Sequence, residues 1–172
     1  MSPRNRRAYL DDYRPTADGG YEYTGAVWHW APPEARRPLM RRAAALLSAA
    51  FVCMVAAGFL PAPGVGYAAY VLLPYAVALV AAALATASLL RLARAGDEVR
   101  DHVYQASVPR LPGRLLVGCI AAIASALGQL VHLALSGGAP SLAGIAFALL
   151  MAAAAACLAL LCRAFSDIPL AS

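Results

Sequence analysis

The sequence predicts an all-α membrane protein: four transmembrane helices arranged as two antiparallel hairpins, with a short N-terminal cytoplasmic β-hairpin segment. Three observations carry this expectation. Hydrophobic residues make up 62% of the chain and charged residues 13%, with a mean hydropathy of +0.65. A soluble domain is nearer half apolar and a quarter charged. The apolar residues fall into four blocks without charge, residues 43–60, 67–90, 115–135 and 141–162. The spacers inside the first and last pairs, PAPGVG at 61–66 and SGGAP at 136–140, are short, uncharged and helix-breaking.

Each block spans roughly 27–36 Å as a helix, enough for a hydrocarbon core of about 30 Å. Backbone amides in lipid must be satisfied within the segment, which favours helices over any open strand. The chain therefore divides into an N-terminal segment 1–42, a four-helix bundle 43–162 with a central loop 91–114, and a tail 163–172.

The N-terminal segment contains YEYTGAVWHW at 21–30. Tyr21 and Tyr23 fall on one face with Glu22 and Thr24 opposite, Trp28 and Trp30 share a face with Val27 and His29 opposite, and Thr24-Gly25 separates the two arms. This predicts an aromatic β-hairpin near 20–30, preceded by a turn at 17–20. A lone hairpin is marginal in water, so its aromatic face needs a surface. Lipid headgroups, the ends of the helices and a partner protein all qualify. Tyr21, Tyr23, Trp28 and Trp30 are thus the candidate interface residues.

All fourteen basic residues are arginine. Eight precede the first span, five lie at or between the second and third, and Arg163 follows the fourth. The two remaining connections carry none. The positive-inside rule then places both termini and the central loop in the cytoplasm. The same clustering explains the basic pI of about 9.3 without a polyanion, so no nucleic-acid partner is expected. A cleaved signal peptide is not expected either, because 42 residues precede a run long enough to span.

Small residues recur every fourth position: Ala45, Ala49, Cys53 and Ala57; Gly118, Ala122 and Ala126; Gly144, Ala148, Ala152 and Ala156. Such stripes let helices approach closely in lipid, within the bundle or between subunits. One polar set stands out. Ser125, Gln129 and His132 follow i, i+4, i+7 on the third span. Pro74 cannot donate to the carbonyl of Tyr70, which frees that carbonyl at a similar depth. Tyr70, Ser125, Gln129 and His132 are the candidate ligand-binding residues of an outward-facing polar pocket; the alternative is bonding among themselves.

Other chemistries find no support. All nine carboxylates lie outside the four blocks, whereas ion-coupled transport normally uses an intramembrane acid. No phosphate-binding glycine loop, zinc-protease motif or nucleophile elbow occurs. The four cysteines lie within or beside the spans and suit apolar filling better than metal binding. No catalytic residue, metal or cofactor is expected. In the central loop, Arg94 and Glu98 at i, i+4 predict that the second helix continues as an amphipathic extension to Pro109.

Two short runs, Asp11-Asp12-Tyr13 with Asp18-Gly19-Gly20-Tyr21-Glu22-Tyr23-Thr24-Gly25, and Tyr70-Val71-Leu72-Leu73-Pro74-Tyr75, carry a resemblance. They resemble the signature of an uncharacterised group of small four-helix bacterial membrane proteins. The resemblance implies the bacterial cytoplasmic (inner) membrane and no particular activity. The expected function is therefore non-enzymatic: an accessory or regulatory subunit of a larger membrane complex such as a transporter. The alternative is a small passive carrier or ligand-binding homo-oligomer. The expected partners are the lipid bilayer and either a membrane protein or further copies of this chain.

Overall fold

The computed structural model describes residues 13–15, 20–136, 141–166 and 170–171. The turn expected around 17–20 and the one around 136–140 fall largely outside these residues, as do Asp11, Asp12, Asp18 and Gly19 of the resemblance. Four long helices dominate: α1 Arg36–Phe59, α2 Ala69–Ala95, α4 Leu111–Leu135 and α5 Leu142–Ser166. A helix of about two turns, α3 Asp101–Ser107, lies in the central connection. The strands are short: β1 Tyr13–Pro15, β2 Tyr21–Tyr23, β3 Val27–Trp30, β4 Glu98–Arg100 and β5 Leu170–Ala171.

The four long helices are those read from the uncharged blocks, extended at their arginine-bearing ends. Only 28–39% of the residues in each apolar stretch are buried inside the chain. The rest present large side chains outward, including Phe59, Leu73, Ile120 and Leu142. In water so much apolar surface would drive aggregation; around a membrane bundle it is the lipid-facing shell. The fold is therefore that of a multi-pass membrane protein.

Around the bundle the order is α1–α5–α4–α2. Helix α4 packs along both α2 and α5, and α1 packs along α5. Helices α1 and α2 follow each other in sequence yet touch only lightly. Small residues decide where contact is close. A methyl group at Gly118 would stand 3.1 Å from Leu158 Cδ1 and 3.3 Å from Ala81 Cβ, so α4, α5 and α2 meet there without space to spare. Ala122 and Ala126 continue that internal stripe. On α1 the stripe turns outward instead: Ala57 is buried and Ala45 and Ala49 are exposed. Tyr75 spans the α1–α2 interface, donating its hydroxyl to the carbonyl of Met54 at 3.0 Å while its ring leans on Phe147.

A two-stranded antiparallel sheet does form at the N-terminus, with different arms from those expected. Strand β2 pairs with β1, in the register Tyr13↔Tyr23 and Pro15↔Tyr21. The arm containing the tryptophans, β3, is instead the central strand of a three-stranded antiparallel sheet, β4-β3-β5. Its partners come from the central connection, with Trp28↔Val99, and from the tail, with Trp30↔Leu170. Burial explains the change. A local hairpin would leave both indoles on an open face, whereas the long-range sheet leaves Trp30 only 3% exposed and covers Val99 completely.

The same sheet overturns the expected helical extension to Pro109. Helix α2 stops at Ala95, Gly96 takes a φ of +82°, and the chain turns into β4. The Arg94–Glu98 helical pair is not made, because burying Val99 under β3 outweighs an exposed i, i+4 pair of a few tenths of a kcal/mol.

Candidate functional site

At the end of the bundle opposite the sheet, loop 60–68 closes α1 onto α2. The loop is wound tightly on Gly64, whose carbonyl accepts from Tyr67 N at 3.2 Å and Ala68 N at 2.7 Å. Gly64 has a φ of +91°, the left-handed region that disfavours a side chain. It also lies against the ring of His132: a methyl group there would stand 2.6–2.9 Å from three ring atoms. Glycine is needed for both reasons.

His132 is held between two tyrosines, Tyr67 of the loop and Tyr70 of α2. Tyr70 Oη lies 2.7 Å from Nδ1 and Tyr67 Oη lies 3.1 Å from Nε2. The Tyr67 ring meets the imidazole edge-on, with centroids 5.6 Å apart. A neutral imidazole has one donor and one acceptor nitrogen, so one tyrosine hydroxyl donates to it and the other accepts from it. One turn deeper, Gln129 is fully buried and donates its Nε2 to the carbonyl of Pro63 at 2.9 Å. Gly144 of α5 makes room for it, since a methyl there would stand 2.9 Å from that nitrogen. A further turn down, the buried Ser125 donates to the carbonyl of Val71 at 3.2 Å.

Of the four residues picked from the sequence, Tyr70 and His132 touch each other directly. Gln129 and Ser125 face the same side of α4 but bond to the loop and to the α2 backbone. The Tyr70 carbonyl, expected to be free because of Pro74, is covered by close approach of α4: a methyl at Gly128 would stand 2.8 Å from it. The set is thus a ladder of bonds that fastens α4 to α2 and to the loop. Among the described residues, one polar atom of the ladder is both buried and unpartnered, Gln129 Oε1.

Sequence reading missed Tyr67, Gly64 and the Pro63 carbonyl. A signal was present: Tyr67 and Tyr70 are spaced i, i+3 at the mouth of an apolar block, where aromatic hydroxyls seek polar partners.

At the sheet end the four aromatic interface candidates separate. Tyr21 is 75% exposed, and the Tyr23 side chain lies outside the described residues. Trp28 stacks on Tyr104, with centroids 4.1 Å apart and planes 9° from parallel, and donates its Nε1–H to Asp101 Oδ1 at 3.0 Å. Trp30 is buried in the chain's own core. The two indoles therefore dock within the chain itself, Trp28 on α3 of the central connection and Trp30 in the buried core. Asp101, also bonded by Gln105 Nε2 at 2.6 Å, serves this docking. His29 stays exposed on the outer face of the sheet.

No group of three metal-capable side chains gathers among the described residues. The four cysteines are free thiols, each half-buried. Cys119 leans on the carbonyl of Ala155 at 3.5 Å, as an apolar filler with a weak donor does. No family model matches the chain, and no curated protein and no solved structure matches it.

Proposed function

We propose that this protein is a non-enzymatic accessory or regulatory subunit of a larger membrane complex, such as a transporter, in a bacterial cytoplasmic membrane. The sheet end faces the cytoplasm in this reading. Ten arginines from Arg36 to Arg163 lie at or near that end of the helices, which supports the orientation under the positive-inside rule.

One observation carries the reading. Helices α1 and α2 leave an uncharged cleft of about 560 Å³ between them, lined by small and hydroxyl-bearing residues, Ala44, Ser48, Ala83 and Thr86, with Phe51 and Leu90 at its sides. A transmembrane helix from another protein fits such a cleft, because small residues allow close backbone approach and association in lipid relies on packing. Tyr75, Ser125, Gln129 and His132 meanwhile join helices or fasten the loop, which supports a scaffold over a solute path.

The test is extraction at native abundance in a mild detergent, with and without Ala44→Leu and Ala83→Leu. The expected outcome is a defined membrane partner that travels with the wild-type chain and is lost from the double variant, while helix content is unchanged. A chain that elutes alone, or a partner that ignores the filled cleft, would overturn the reading.

Gln129 Oε1 favours a second reading, a small passive carrier or ligand-binding homo-oligomer with its polar site at the loop end. An acceptor buried in a membrane bundle without a donor is what a ligand N–H or O–H would satisfy. Under this reading His132→Ala abolishes solute binding while assembly survives.

A further inference from the structure

We infer that the groove between α2 and α4 at the sheet end is a binding site for an anionic phospholipid of one membrane leaflet. The groove has a volume of about 650 Å³. Its body is apolar, lined by Val77, Val80 and Leu84 of α2 and Val117 of α4; its mouth holds Arg110 and Arg114. From Ala76 to Leu84 the groove runs roughly 12 Å along α2. Half of a hydrocarbon core is roughly 15 Å, so the groove matches the acyl depth of a single leaflet and ends where headgroups lie.

The mouth is built for a negative charge. Arg114 is half-buried, with Nη1 donating to the carbonyl of Leu84 at 3.1 Å and to the hydroxyl of Ser88. These bonds aim the guanidinium along the groove and leave its other N–H groups for an incoming acceptor. Arg110 stands one turn earlier, at the residue just before α4. Arg91 stands one turn beyond Ser88 on α2. None of the three has a carboxylate partner among the described residues. Helix α4 begins at Leu111, so the positive end of its dipole adds to the same field.

An arginine at this depth is costly unless it snorkels to the interface or meets an anion. Arginine also matches phosphate oxygens in geometry, two N–H groups to two oxygens. The apolar body selects an acyl chain, and the uncompensated positive mouth selects an anionic headgroup over a zwitterionic one.

The experiment uses the intact protein in detergent, titrated with phosphatidylglycerol or with phosphatidylcholine of the same chains, and read by native mass spectrometry. About tenfold stronger retention of phosphatidylglycerol is expected, and Arg110→Gln with Arg114→Gln should bring the two lipids to parity. Because Arg114 also ties α4 to α2, a second pair, Arg91→Gln with Arg110→Gln, tests the mouth without touching that bond and should lower the preference severalfold. Val80→Trp, which fills the groove and leaves every charge in place, should weaken retention of both lipids. Equal retention of the two lipids by the wild type, or an undiminished preference in both arginine pairs, overturns the proposal. So does displacement of the lipid by glycerol phosphate alone, which would make the site one for a free phosphate ester.

Discussion

At the sheet end, three segments far apart in sequence are joined by backbone hydrogen bonds and one aromatic stack. At the loop end, a single short connection is fastened by side-chain bonds to a helix it does not follow in sequence. The first end is rich in arginine and carboxylate; the second has no arginine or carboxylate in loop 60–68 or among its bonded partners. The contrast follows from what each end has available. The sheet end has long connections whose backbone groups must be satisfied and whose tryptophans must be buried. Apart from Tyr67, the loop has only proline, glycine and apolar residues, so the buried Gln129 and the tyrosine-held His132 of α4 supply the fastening.

The largest effect should come from breaking the loop end at its tightest point. Gly64→Val forces a branched side chain into the left-handed region and into the His132 ring, at an expected cost of roughly 2–4 kcal/mol. The check is thermal unfolding in detergent, with hydrogen exchange rising in 60–70 and unchanged in β3 and β4. An equal rise at both ends would mean that the ends are not independent.

The next effect belongs to the other end. Trp28→Ala removes the stack on Tyr104 and the bond to Asp101, at about 2–3 kcal/mol. Hydrogen exchange should rise in 27–30 and 98–104 and stay low in the helices. Trp28→Phe should keep the stack and recover about half of the loss. The ends lie roughly 40 Å apart along α2, so Gly64→Val and Trp28→Ala should add within ~0.5 kcal/mol. A larger coupling energy would break the comparison.

Smaller still is the imidazole between its tyrosines. Tyr70→Phe should cost about 0.6 kcal/mol, the common value for one interhelical bond in a membrane. A double-mutant cycle with His132→Ala isolates that bond. Smallest is Gln129→Leu. It removes the bond to Pro63 and, with it, an acceptor that has no donor, so the two changes offset and stability should change by less than ~0.5 kcal/mol. A marked stabilisation would sharpen the picture of Gln129 as a group kept for a ligand.

The sequence by itself determined the four spans, their length and their outward apolar shell, because charge-free stretches of membrane length admit one economical structure. It also determined that Ser125, Gln129 and His132 share a face of α4, and that Trp28 and Trp30 share a face of a strand, because helix and strand periodicities are local. The tertiary structure decided the partners. It paired β3 with Glu98–Arg100 and Leu170–Ala171 instead of its neighbour, ended α2 at Gly96, placed Gly64 under His132, and set α1 against α5 with a cleft toward α2. Each of these choices depends on which buried surfaces fit, and fit is a property of segments brought together from far along the chain. Local spacing fixes which residues share a face and leaves the surface opposite to the fold.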